Sequence, residues 1–265
     1  MFDGYSGLET AHIVFSMLAF LFMLGSFSGW VIEVFFRRFF SAKQWINPGF
    51  LTGPCLPIYG LGVVTLYSLS MLKEANPVPS SVSGGGIIWG LIIVLLIGVA
   101  MTLIELIGGL IFIKGLNLRL WDYSNRKGNF KGVICPLFSV IWTAVGALFY
   151  FLLYPLLTKT VSWFFRNYFL IFFVGMYFGI MIIDLCHAFG IAAKLKKSAV
   201  KKRIVIKIEN LKASVAKHLK ERNLKANFVF PFKSPLGLEN HIDEYLDEED
   251  EYLDEEDENS SEVIK

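Results

Sequence analysis

Gly53-Pro54-Cys55-Leu56-Pro57-Ile58-Tyr59-Gly60 and Gly132-Val133-Ile134-Cys135-Pro136-Leu137-Phe138-Ser139 are the stretches on which the reading of this chain turns. Aligned on Gly53 and Gly132, Pro57 falls on Pro136, and Ile58-Tyr59 falls on Leu137-Phe138. Each stretch opens an apolar segment. Each also follows an apolar segment that carries a carboxylate, Glu33 in the first case and Glu105 in the second. An ionisable group in lipid is costly, so it marks a functional site by default. Gly/Pro-broken apolar segments at matching places in two halves point to the binding site of a transporter.

Working outward, 54% of the 265 residues are hydrophobic and the mean hydropathy is +0.54, beyond the usual range of soluble domains. A spanning helix needs roughly 20 apolar residues. Five stretches approach or exceed that length: residues 12–36, 55–72, 87–113, 133–157 and 168–193. The second is the shortest and holds Pro57 and Gly60, so it reads as a broken or re-entrant start. Asp3 and Glu9 stand where a signal peptide would be basic, so the first stretch reads as a retained helix.

Lys and Arg set the orientation. Arg37, Arg38 and Lys43 follow the first stretch, Lys114, Arg119, Arg126, Lys127 and Lys131 follow the third, and a lysine-rich run begins at Lys194. The opposite side has only Lys73, Lys159 and Arg166. Five spans with the N-terminus outside and the C-terminus in the cytoplasm satisfy every loop. The expected fold is therefore an all-α integral membrane bundle of five helices over residues 1–193. It contains two duplicated hairpins in parallel orientation (12–72 and 87–157) and a fifth helix (168–193), whose Ile182-Ile183-Asp184 echoes Val31-Ile32-Glu33.

The net charge of +2 conceals two opposed blocks. Ile204, Ile208, Leu211, Val215 and Leu219 make a helical stripe among lysines. Residues 194–226 thus read as a cytoplasmic basic amphipathic helix. Such a helix lies on an anionic leaflet, each cation contributing about 1 kcal/mol, or docks on the loops of the bundle or on a partner. Residues 227–265, with a repeated acidic heptad, read as a disordered tail. Cys55, Cys135 and Cys186 sit in apolar segments without close Cys or His neighbours, so no metal and no disulfide is expected.

The candidate substrate- or proton-binding residues are Glu33, Glu105, Asp184 and His187. Glu33 lies one turn before Arg37, and an i,i+4 ion pair is its structural reading. Glu105 is nine residues before Lys114, about 13 Å at helical rise. Asp184 is ten residues before Lys194, with His187 one turn on. Short acidic side chains at that depth must pair, line a wet cavity or be protonated. The last two conditions suit proton coupling or general acid work. Trp121, Asp122 and Tyr123 are either an interfacial anchor or a polar lid closing a pocket open to the cytoplasm.

Gly29-Trp30-Val31-Ile32-Glu33, the run from Asn47 to Gly60, Glu105, Trp121-Asp122-Tyr123-Ser124, Gly132, Cys135 and Trp142 together resemble the bacterial CmpB-type family described as ABC-transporter permeases. The likeness covers roughly residues 25–150. It implies a membrane subunit driven by a separate ATPase and supplies no substrate or catalytic residue. The chain has no Gly-x-x-x-x-Gly-Lys-Ser/Thr loop of its own. The expected function is a permease-like subunit in the cell membrane, without cofactor or nucleic-acid partner, working as a homo-oligomer because five helices enclose little space. Gly53, Pro54, Pro57, Tyr59, Trp121, Asp122, Tyr123, Gly132 and Pro136 would shape its site. A membrane-embedded enzyme of lipid or isoprenoid chemistry and a non-catalytic scaffold are the alternative readings.

Overall fold

The computed structural model describes residues 7–40, 43, 45–79, 84–202, 205–208, 210–212 and 214. The acidic tail and residues 215–226 of the expected basic helix lie outside the described residues, while residues 194–202 of that expected helix continue α6. The described chain is mainly helical: α1 (Gly7–Phe39), α2 (Pro57–Ser70) continued by a 3-10 turn (Met71–Ala75), α3 (Gly85–Leu116), α4 (Pro136–Leu148), α5 (Tyr154–Arg166) and α6 (Leu170–Lys202). Two short strands, β1 (Leu118–Arg119) and β2 (Ile206–Lys207), pair in parallel with Leu118 opposite Ile206.

Among the described residues, four helices are long and apolar enough to cross a membrane: Gly7–Phe39, Gly85–Leu116, Pro136–Arg166 and Leu170–Gly190. The protein is therefore a multi-pass membrane protein. The second expected span is shorter. Its 14 α-helical residues rise about 21 Å, below the roughly 30 Å hydrocarbon thickness. The 3-10 turn adds about 10 Å more.

Proline starts two of the helices. Pro57 and Pro136 each occupy the first helical turn, after residues Leu56 and Cys135 held in extended conformation. A proline bars the residue before it from helical geometry, and its missing N–H is free of cost at a helix start. Pro155 acts differently. It lies inside the continuous segment Pro136–Arg166, where it cannot donate to the preceding turn, and the backbone widens into a π-turn at Phe149–Leu153. The segment then runs beyond the expected end at residue 157 as far as Arg166. Thr158, Thr160 and Ser162 donate back to carbonyls four residues earlier, so their hydroxyls need no water.

The chain divides into two compact units. Unit 1 comprises Met1–Val31, Cys55–Gly108 and Asp122–Ile182. Its core is apolar and aromatic, with Leu21, Ile93, Ile97, Val161 and Phe164 almost fully buried and Phe20 stacked on Phe164 at 4.2 Å. Glycines let its helices touch. A Cβ on Gly29 would strike the ring of Tyr59, one on Gly60 would strike Ser26, and one on Gly98 would strike Thr143. Close backbone approach at small residues is how helices pack where water gives no hydrophobic drive.

Unit 2 comprises Ile32–Pro54, Gly109–Trp121 and Ile183–Lys265. Here the loop after α1 meets the segment after α6. Phe50 contacts Phe112 and Phe189 edge-on, and Leu118, Ile206 and Leu211 are completely buried. Ile208 and Leu211, two members of the stripe, face protein. Ile204, Val215 and Leu219 lie outside the described residues.

Candidate functional site

Glu105 sits within α3, in the apolar body of unit 1, with 5% of its surface exposed. Both of its carboxylate oxygens are engaged. The Tyr123 hydroxyl donates to Oε1 at 2.8 Å, and the Trp142 indole N–H donates to Oε2 at 3.3 Å. Among the described residues of unit 1, no Lys, Arg or His forms an ion pair with it. The carboxylate is thus held by neutral donors, one from α4 and one from the loop before it.

That loop is built to present Tyr123. Gly132 adopts φ +66°, a left-handed geometry that costs glycine little, and its carbonyl accepts from Tyr123 N at 2.8 Å. Asn129 donates to the carbonyls of Ser124 and Arg126 and accepts from Gly132 N. Asp122 receives the backbone N–H and the hydroxyl of Ser124, and its side chain is exposed. The Tyr123 ring stacks on Phe138 at 4.3 Å. Burial, then the Glu105 carboxylate, push the Tyr123 phenol well above the usual tyrosine range. The phenol therefore remains a donor throughout physiological pH.

Tyr59 completes the wall, edge-on to Trp142 at 6.4 Å. Cys55, just before α2, lies 2.8 Å from the Tyr177 hydroxyl on α6. Pro136 is exposed and Pro57 half-buried; both act through the backbone as helix starts.

Asp184 belongs to unit 2 and has a different setting. Its carboxylate accepts the Thr52 N–H, the Thr52 hydroxyl and the Gly53 N–H, the last at 2.8 Å. A Cβ on Gly53 would lie 3.1 Å from Asp184 Oδ2. Gly53 and Gly132 therefore align in sequence but serve different needs, space for a carboxylate in one and left-handed backbone in the other. Pro54 is exposed beside this loop, and Trp121, at the edge of unit 2, is half-buried.

His187 is exposed and forms no hydrogen bond with Asp184 among the described residues. Glu33 is half-buried and pairs with Arg37 at 3.2 Å, the i,i+4 contact. Among the described residues no three His, Cys, Asp or Glu side chains gather as a metal site.

Three contributors escape a reading of the sequence as a candidate site. Trp142 stands out there only through a family likeness, although it is a carboxylate donor. Lys212 looks like one of many surface lysines. The Gly25-x-x-x-Gly29 spacing, a known signal of close helix contact, is the pattern that could have revealed how α1 meets α2.

The profile of the family described as "Putative ABC-transporter type IV" matches residues 20–189, well over half of the chain. The chain belongs to that family. For this ABC-transporter-like membrane protein the matched range takes in Glu33, Glu105 and Asp184, together with both proline-started helices. No curated protein and no solved structure matches the chain.

Proposed function

We propose that this ABC-transporter-like protein is a membrane-embedded transport subunit whose polar centre is Glu105. The observation that carries the reading is a buried carboxylate on an apolar helix, gripped by Tyr123 and Trp142 and without an ion-pair partner among the described residues of its unit. Glu105 can take up a proton or a cationic or hydrogen-bonding substrate group by exchanging either neutral donor. The Tyr123 loop supplies a natural handle on that exchange, because displacing one phenol frees one carboxylate oxygen.

Asp184 acts in this reading as a clamp on the Thr52-Gly53 loop and not as a proton site. The 3-10 extension of α2 lets that element reach across the bilayer, giving five crossings with the N-terminus outside. ATP hydrolysis belongs to a separate subunit, since the chain carries no phosphate loop.

Two measurements test this. Gentle purification from the native membrane should yield a nucleotide-binding subunit in fixed stoichiometry. Reconstituted transport should fail in Glu105→Gln, compared at equal levels of folded protein in the membrane. Full transport by Glu105→Gln would remove the assignment.

A further inference from the structure

Lys212 is a buried lysine in a place where a lysine is not expected. It is 3% exposed and belongs to the segment after β2, in unit 2. Its Nζ lies 3.0 Å from the carbonyl of Asn47 and 2.9 Å from that of Gly49. Among the described residues these are the acceptors that Nζ reaches. On the remaining side lies a water-sized hollow walled by Thr52 and by apolar side chains that include Phe50, Leu118, Ala192, Leu195 and Ile208. A neutral amine has two hydrogens and an ammonium has three. Two carbonyls therefore take both hydrogens of the neutral form, while the third N–H of the charged form faces a largely apolar wall in which the Thr52 carbonyl and hydroxyl are already engaged by Asn47 and Asp184.

The same loop is gripped from its other end. Asn47 Nδ2 donates to the carbonyl of Thr52 at 2.7 Å, and Asp184 holds the N–H groups of Thr52 and Gly53. Charged groups from every neighbouring element bear on the amine. Arg37 on α1 opposes its protonation and Asp184 on α6 favours it; Glu33 is taken up by Arg37. β1 and β2 bring two further cations, Arg119 and Lys207, opposite one another. His187, also on α6, is exposed.

We infer that Lys212 is a proton-controlled latch, neutral when it fastens the segment after α6 to the Asn47–Gly53 loop and loosened when acid charges it. Burial, reinforced by Arg37, brings the Lys212 amine from 10.5 down to about 7. The sign follows from proton counting. Between about 7 and 10.5 the undocked amine carries a proton that the docked amine does not, so docking strengthens as pH rises through this window. Below about 7 both forms are charged, and docking rests at its weakest level. From pH 8 to pH 6 the docking equilibrium should fall roughly tenfold.

Hydrogen exchange on the full chain in detergent, corrected for intrinsic exchange rates, tests the latch through the amides of Thr52 and Gly53. Wild type should lose roughly tenfold protection between pH 8 and pH 6. Lys212→Met, which leaves every other titratable group in place, should show the same protection at both pH values. Lys212→Arg should be weakly protected at both. Wild-type protection that is flat or rises on acidification would overturn the latch, as would the wild-type pH response persisting in Lys212→Met. Titrating the lysine Cε carbon signal of Lys212 in wild type is an independent test that needs no variant. A midpoint near 7 supports the latch, and one above about 9 overturns it, being close to an ordinary lysine.

Discussion

At the scale of single residues, the two deep carboxylates have opposite characters, and the difference lies in their donors. Asp184 receives backbone N–H groups from a loop that would otherwise have to find water. Glu105 receives two side-chain donors, a phenol and an indole. A hydrogen bond to a charged group contributes about 1.5–3 kcal/mol. Tyr123→Phe should therefore lower unfolding stability in detergent by about that amount. In a double-mutant cycle with Glu105→Gln the coupling should exceed about 0.5 kcal/mol, the usual limit of additivity. Simple additivity would mean that the phenol and the carboxylate do not depend on one another. Asp184→Asn should turn an amide N–H toward backbone donors and expose the Asn47–Gly53 loop to protease, with little effect at Tyr123. A loop that resists protease as well as wild type would show that Asp184 is no clamp.

At the scale of elements, helix starts are governed by proline and helix contacts by glycine. α2 lies against α1 because Gly25, Gly29 and Gly60 leave no side chain between the backbones. A Cβ on Gly60 would meet Ser26 Oγ and would also lie 2.8 Å from the Phe22 carbonyl. Overpacking of this kind costs about 1–3 kcal/mol. Gly60→Ala should be destabilised by that order, measured by unfolding in detergent. Adding Ser26→Ala should recover only part of the loss, because the Phe22 carbonyl is backbone and cannot be trimmed. Complete recovery would place the contact with Ser26 alone. The π-turn before Pro155 is the corresponding device inside a helix, where a widened turn absorbs the missing N–H.

For the molecule as a whole, the consequential question is whether α2 crosses. If it does, Lys73 lies outside, and the loops carrying Arg37 and Lys127 both lie in the cytoplasm. If it does not, those two loops fall on opposite sides. Single cysteines placed at Lys43, Lys73 and Lys127, in a background freed of Cys55, Cys135 and Cys186, decide this with an impermeant maleimide. In intact cells the reagent should label position 73 and reach positions 43 and 127 only after permeabilisation. Labelling of position 43 or 127 from outside would eliminate the five-crossing arrangement. The exposed aromatics Phe36, Phe39, Phe40 and Trp45, with Arg38 over the Trp45 ring at 5.6 Å, suit a headgroup-level belt near the end of α1.

Apolar length, charge bias and the paired Gly/Pro stretches were enough, by themselves, to mark a multi-pass membrane protein and its family likeness. Those are sums over many residues, and bilayer thickness translates them directly into helices. Glu105 and Tyr123 could be singled out because a carboxylate in an apolar run and a tyrosine in a polar loop are anomalies of composition. Their direct bond, and the part of Trp142 in it, depend on which faces three separate elements turn inward, and no local pattern records that. Tertiary structure likewise settled that Asp184 turns its carboxylate to a loop 131 residues away in sequence and that His187 faces outward. It also placed Lys212, outwardly one lysine in a basic stripe, inside. Burial of an amine is determined by what closes over it, and what closes over Lys212 comes from the loop after α1, β1 and α6 together.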